Sequence, residues 1–429
     1  MALAVIGSVL VVVGGPHGAP AHAVTPTRIL VHGDSITQQS SGDWTWRCRI
    51  WQHLRADGAA VDFVGPRTDL WNWRKDVFGS MAYAEPACDN AHASTWGNSL
   101  ARPAYDVSDL VEQYSADVVI SQVGINDLLY GLLSLDQMID RWRTDITQSR
   151  AQSPGTDFVL VPVPDVWYAY VTEYNQRLRD LAVELDTPQS RVVVPADPVL
   201  VRTRDTLDNS HPSPNGEIRI AATISDALAA IGVGHSYPRP LPTLPPGPIL
   251  TVAPRLSASE GVLRAAWTPP DFANAQRVWV RDVTRRTAWR GLPGDLTGSS
   301  WWTRAFSGHT YSVRLQPVKG NFASATLSAV RSVRVPARPR AVTGVHVTRR
   351  AGCRASLTWR AATYSTGYAV LVRDATARGR WHLARPGQVR VPRAVTGTLR
   401  KRHLYDVMVR SYGPLLGGST KPIRFLSCR

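Results

Sequence analysis

The stretch Thr27-Arg-Ile-Leu-Val-His-Gly-Asp-Ser-Ile-Thr37 decides how the first half of the chain is read. Its apolar run, 29–31, predicts a buried strand, and Gly33 predicts the turn that ends it. Ser35 follows at once. In an open α/β sheet, the carboxyl end of the first strand is where ligands bind. A serine facing a helix amino terminus there also meets backbone N–H groups and a positive dipole end, which favour developing negative charge. Gly-Asp-Ser is short, so its meaning depends on the partners that the rest of the chain supplies.

Working outward, strand-like runs at 28–32, 60–64, 117–123, 157–163 and 191–195 alternate with helix-like stretches at 46–56, 106–114, 135–150, 169–185 and 215–231. Within 135–150, Leu135, Met138, Ile139, Trp142 and Ile146 keep close to helical spacing, as an amphipathic helix against a sheet would. Strands alternating with helices predict a parallel sheet covered on both faces. The segment 67–104 is too long for a plain connector and is a candidate functional loop.

Upstream, residues 1–23 read as an export signal. An apolar run over 2–13 is followed by Ala21-His-Ala23, a small-x-small cleavage site that puts the mature start near Val24. No Lys or Arg precedes the run, a departure from the usual signal. The run is too short for a stable membrane anchor. A secreted protein without a transmembrane anchor is expected.

Charge divides the chain. Residues 24–235 carry 17 Lys+Arg against 27 Asp+Glu, a net of −10, whereas 236–429 carry 32 against 6, a net of +26. The basic overall balance belongs to the second half alone. Between the halves lies Tyr237-Pro-Arg-Pro-Leu-Pro-Thr-Leu-Pro-Pro-Gly-Pro248, which composition predicts to be a stiff, extended spacer.

The second half shows short β-rich segments and an internal repeat. Trp267 and Trp359 lie 92 residues apart, as do Asp282 and Asp374, and Tyr311 and Tyr405 lie 94 apart. That period fits one β-sandwich per copy. The copies, 249–336 and 340–429, resemble fibronectin type III domains, with a Trp on an early strand and a Tyr on a late one. These aromatics are expected in the sandwich cores rather than as sugar-stacking platforms.

Three elements follow Ser35 in order: His92-Ala-Ser-Thr-Trp-Gly97, Gly124-Ile-Asn126-Asp127 and Asp208-Asn-Ser-His211-Pro212. With Gly-Asp-Ser they resemble the four blocks of the SGNH (GDSL-type) hydrolases, over roughly 27–231. The resemblance implies a flavodoxin-like three-layer α/β/α domain over 24–235 and an esterase or lipase activity without a cofactor. It also implies roles. Ser35 would be the nucleophile, His211 its base, and Asp208 the group that orients the imidazole. The oxyanion would be held by the Ser35 N–H, the Gly97 N–H and the Asn126 amide. Ser94 or Thr95 could stand in for Gly97. Asp34 and Asp127 would brace their loops.

The chemistry supports each step. A serine hydroxyl needs an adjacent base, the imidazolium needs a carboxylate, and the oxyanion needs pre-placed donors. Asp208 and His211, three residues apart, can meet within one turn. His32 reads as a packed neighbour of the site, and His92 has no Cys or carboxylate partner at metal-ligand spacing. No metal site, phosphate loop or dinucleotide fingerprint is evident.

Four cysteines in an exported chain suggest two disulfides, and three pairings are possible. Domain logic favours Cys48 with Cys88 and Cys353 with Cys428, worth about 3–4 kcal/mol each in the chain-entropy model. The basic half is either a highly charged soluble surface or a means of retention on an anionic cell-wall polymer or polysaccharide. Nucleic acid fits the charge but not the export signal. The expected substrate is an ester, and the absence of a long apolar lid favours short acyl chains, such as acetyl groups on polysaccharide. Longer-chain lipase or phospholipase activity is the alternative. From another class, an adhesion protein with an inactive hydrolase scaffold is the rival.

Overall fold

The computed structural model describes residues 25–429, so the expected export signal lies outside the described residues. The first domain runs β1 (Thr27–Gly33), α1 (Ser35–Gln38), α2 (Trp46–Ala56), β2 (Val61–Val64), β3 (Leu70–Asn72), β4 (Val77–Ser80), β5 (Ala93–Ser94), α3 (Val107–Tyr114) and β6 (Val118–Gln122). It continues with α4 (Ile125–Tyr130), α5 (Leu135–Gln152), β7 (Asp157–Leu160), α6 (Val171–Leu185), β8 (Val192–Val193), α7 (Arg202–Asp205) and α8 (Pro214–Ala230).

The sheet order is β2-β1-β6-β7-β8, all parallel. Counted as principal strands this is 2-1-3-4-5, the flavodoxin-like order expected. Strands buried on both sides read as continuous apolar runs, and Ile29, Leu30, Val31, Val119, Ile120, Val159 and Leu160 are fully enclosed. Helices α2 and α8 pack together over one face, and α3, α5 and α6 over the other. The order reverses between β1 and β6, and β5 adds to the end of β1 through His32↔Ala93 and Gly33↔Ser94. Ser35 therefore stands at the switch point, where adjacent crossovers leave in opposite directions and open a crevice.

Segment 67–104 is not a floppy loop. It contains the β3–β4 hairpin and β5, and it is pinned from below by Arg47, which is fully buried. That guanidinium donates to Thr37 O at 3.0 Å, Gln38 O at 3.3 Å and Asn90 O at 3.2 Å. The Cys48–Cys88 disulfide fastens the same loop to α2, and Cys353–Cys428 forms in the last domain.

The second half is two antiparallel sandwiches of fibronectin type III-like topology. The first contains β9 (Arg255–Ser259), β10 (Val262–Ala266), β11 (Ala275–Asp282), β12 (Arg290–Gly291), β13 (Ser300–Arg304), β14 (Thr310–Lys319), β15 (Phe322–Ala323) and β16 (Arg331–Arg334). Its sheets are β13-β10-β9 and β12-β11-β14-β15, with β16 also on β14. The second repeats this plan with β17 (Thr343–Arg350), β18 (Arg354–Arg360), β19 (Gly367–Asp374), β20 (His382–Leu383), β21 (Arg393–Val395), β22 (Leu404–Tyr412), β23 (Leu416–Ser419) and β24 (Ile423–Leu426). Trp267, Trp359, Tyr311 and Tyr405 are buried in the cores. Each Tyr hydroxyl accepts from a backbone N–H five residues upstream, Phe306 at 3.1 Å and Arg400 at 3.0 Å, the tyrosine corner of such sandwiches.

The proline-rich segment does not hold the halves apart. Leu244 exchanges both backbone hydrogen bonds with the Asn215 amide on α8, at 2.8 and 2.9 Å, and Tyr237 N donates to Asp226 Oδ1. Composition gives the stiffness of such a stretch and not what it lies against.

Candidate active site

Asp34 caps α1, its Oδ1 accepting from Ile36 N at 2.9 Å. This leaves the Ser35 N–H without an acceptor among the described residues. Asp34 itself is enclosed, and burial pushes its carboxyl up to about 8, with the Ile36 N–H pulling the other way.

The loop after β5 distributes its N–H groups with one exception. Ser94 N donates to His92 Nδ1 at 3.0 Å, Thr95 N to Gly33 O at 3.1 Å, Trp96 N to Gln38 Oε1 at 2.7 Å, and Asn98 N to Thr95 O at 2.9 Å. Gly97 N has no acceptor among the described residues. Of the three donors left open by the sequence, Ser94 and Thr95 are thus already committed. Asn126 joins this loop by donating from Nδ2 to Asn98 O at 2.8 Å, which leaves its second amide hydrogen available. Asp127 accepts from Leu100 N and Ala101 N, at 2.8 and 3.0 Å, and so braces the same loop. Gly124 before them has φ of 135°, and a Cβ there would lie 2.8 Å from the Tyr174 ring, so only glycine fits.

Asp208 and His211 form a self-contained unit. Asp208 Oδ2 accepts from the imidazole Nδ1 at 2.7 Å, while Oδ1 accepts from His211 N at 2.9 Å and Ser210 N at 3.1 Å. Burial would raise the Asp208 carboxyl, but the hydrogen bonds from the imidazole and these N–H groups outweigh it and hold it below its ordinary value. With Nδ1 donating to a carboxylate, Nε2 is left as the acceptor that a general base needs.

Residues that the sequence did not single out fix this loop. Leu207 N donates to His211 O at 2.7 Å, Trp167 Nε1 to Asn209 O at 3.1 Å, and Ser210 Oγ to Asp165 Oδ2 at 2.6 Å. Asp165 is enclosed, and burial raises it to about 7 against the pull of Ser210. The imidazole face is covered by Trp96, stacked at 4.3 Å, with Trp71 stacked on Trp96 at 5.5 Å and Trp73 5.9 Å from the imidazole. A clustering of Trp71, Trp73 and Trp96 inside the long loop was the only available signal.

Trp96 ties the two halves of the site together, its N–H bonded to the side chain of Gln38 on Ser35's helix and its ring against His211. Ser35 Oγ and His211 are not hydrogen-bonded to each other. His32 is a packed neighbour: Nδ1 meets Ser121 Oγ at 2.7 Å, Nε2 meets Asn98 Nδ2 at 3.3 Å, and burial lowers it to about 4. His92 is likewise enclosed, bonded to Asp69 O and Ser94 N. Among the described residues no cluster of three or more His, Cys, Asp or Glu has metal-holding geometry, and no helix is long and apolar enough to cross a membrane.

No family model and no curated protein matches the chain. Over its first half the chain is similar in structure to carbohydrate esterases. A Talaromyces cellulolyticus family 3 carbohydrate esterase is 22% identical with a TM-score of 0.40, over 48% of this chain and 97% of that one. The Clostridium thermocellum family 3 enzyme is 21% identical with a TM-score of 0.40, over 49% and 100%. An acetyl esterase mutant crystallised with acetate is 22% identical with a TM-score of 0.39, over 48% and 97%. The FN1–FN3 domains of chicken CNTN1 are 14% identical with a TM-score of 0.28, over 43% and 68%.

Proposed function

We propose that the chain is a secreted serine ester hydrolase that acts through an acyl-enzyme on Ser35. The observation that carries this reading is the Asp208–His211 pair, with Nδ1 committed to the carboxylate at 2.7 Å and Nε2 left as acceptor, together with the N–H groups of Ser35, after β1, and Gly97, after β5, which have no acceptor among the described residues. His211 takes the Ser35 proton as Oγ attacks the ester carbonyl. Asp208 stabilises the imidazolium. The Ser35 and Gly97 N–H groups and Asn126 Nδ2 receive the oxyanion, which needs donors about 2.7–3.1 Å away. His211 then protonates the leaving alcohol and activates the water that releases the acid. Ser35 Oγ must close onto Nε2 in the substrate complex, as catalytic hydrogen bonds tighten on binding.

A short acyl group fits best. The loops around Ser35 are pinned by Arg47, by Cys48–Cys88 and by the aromatic stack on His211, which favours a fixed rim over an apolar flap. Acetyl groups on a polysaccharide are the substrate class we assign. The basic half, net +26 over 236–429, is proposed to retain the protein on an anionic polymer outside the cell.

A serine-directed fluorophosphonate tests the reaction. It should label the wild-type chain and not Ser35→Ala. An unlabelled wild type would favour the inactive scaffold. Nitrophenyl acetate should be cleaved far faster than long-chain nitrophenyl esters, and the opposite order would assign a lipase.

A further inference from the structure

The loops bearing the candidate catalytic groups are held from outside the α/β domain. The β14–β15 hairpin of the first sandwich reaches both. At its turn Lys319 is only 3% exposed, and its Nζ donates to Asp43 Oδ1 at 2.6 Å, Ser41 O at 2.7 Å and Ser40 O at 3.4 Å. One residue on, Gly320 has φ of +54°, and a Cβ there would meet Leu207 O at 2.1 Å. Asn321 N donates to that same Leu207 O at 2.8 Å. Leu207, the residue just before Asp208, is therefore bonded to His211 through its N–H and to the sandwich through its carbonyl.

The segment after Ser35's helix needs such support. Gln39 and Thr45 hold φ of 59° and 70°, a costly region for residues with a Cβ. Asp43 accepts from Ser40 N and Oγ at 2.9 and 3.0 Å, and Glu217 on α8 accepts from Gln39 Nε2 and Thr45 N, both at 3.1 Å. Arg49 stands 3.7 Å from Glu217, and Lys319 is the cation paired with Asp43. Without it, a buried carboxylate would lack its counter-charge. Beside it, Asp271 pairs with Arg74 at 3.2 Å and Lys75 at 2.9 Å, next to Trp73. Domains joined by a flexible tether ordinarily meet through small, polar and mobile contacts. A buried ion pair and a carbonyl bond at a catalytic loop are a different arrangement.

We propose that the first sandwich is an integral part of the catalytic unit, with Lys319 and the Gly320–Asn321 turn as positioning residues that set the Ser35 loop against the Asp208–His211 loop. This rests on the proposed roles of Ser35 and His211. The experiment uses the full chain with Lys319→Met, Lys319→Arg, Gly320→Ala and, as a control on charge alone, Arg304→Met at an exposed position of the same sandwich. Lys319→Met and Gly320→Ala should lower kcat on nitrophenyl acetate by about 10- to 100-fold with little change in KM, the signature of misplaced reacting groups. The proton NMR resonance of His211 Nδ1–H should shift or broaden in both. Lys319→Arg should recover much of the loss, and Arg304→Met should behave as wild type. Wild-type kcat and an unmoved resonance in the folded variants overturn the proposal. Should Lys319→Met not fold, Gly320→Ala carries the comparison. Failure of the unaltered chain to hydrolyse any ester counts against the catalytic reading alone. The resonance then decides the coupling, a shift supporting it and its absence overturning it.

Discussion

Trp96 lies flat against His211, with ring centroids 4.3 Å apart and planes 13° from parallel. The indole fixes which way the imidazole faces, while Asp208 fixes its tautomer. Trp96→Ala should therefore leave the Asp208 bond intact but free the ring to tilt. A drop in kcat of about 10- to 100-fold is expected, since small misplacements carry penalties of that size. Steady-state kinetics on nitrophenyl acetate check it, and Trp96→Phe should lie between.

Asp208→Asn keeps the shape of the loop and removes the charge that favours the imidazolium. By analogy with other triads, kcat should fall by about 10⁴-fold. Thermal stability should also fall, because three hydrogen bonds converge on that carboxylate. Kinetics and calorimetry on the same preparation separate the two effects.

Burial raises the carboxyls of Asp34, to about 8, and Asp165, to about 7. An aspartate in an unfolded chain titrates near 3.9. Between about pH 4 and pH 8 the folded chain therefore holds protons that the unfolded chain has lost. These two carboxyls make unfolding free energy fall as pH rises through that window, while His32, lowered by burial to about 4, and His92, lowered likewise, work against them up to about pH 6.5, where an unfolded histidine loses its proton. Asp208, held low, works in the opposite sense and only below about pH 4. Melting temperatures from about pH 6.5 to 8 should decline, and Asp165→Asn should flatten the decline while preserving an acceptor for Ser210.

The Cys48–Cys88 bridge closes a separation of 40 residues and Cys353–Cys428 one of 75. Each should contribute about 4 kcal/mol by restricting the unfolded chain. Removing the first, as Cys48→Ala with Cys88→Ala, should also lower activity, because it loosens the loop that carries Trp96 and Gly97. Removing the second should change denaturant midpoint only.

If the basic half binds an anionic polymer, retention on such a matrix should weaken steeply as salt rises from 50 to 200 mM. Elution profiles of the full chain on polyanionic and neutral matrices check this. Equal retention on both would set the charge down to solubility.

Much of the fold was legible because its signals are local. Periodicity gave α2 at 46–56 to the residue and located all five principal strands, since buried parallel strands are continuous apolar runs. The Asp208–His211 contact could be anticipated because three residues of chain bring the groups together. What escaped was short or distant. Helix α4 has six residues and β3 three, too few for a period to show. The stack of His211, Trp96 and Trp71 joins three separate segments. Lys319 and Asp43 are 276 residues apart, and no local pattern announces such a pair. The proline-rich stretch showed its stiffness but not its resting place along α8.

The carbonyl of Leu207 faces outward, towards the sandwich, and that orientation bears on how the molecule can be divided. A protease cut or gene truncation after residue 235 would strip a donor from that oxygen and the ammonium from beneath Asp43 in the same stroke. The excised fragment would keep its sheet and its helices yet present a raw face beside the Ser35 loop. The natural seam for shortening this protein lies further along, at the join between the two sandwiches.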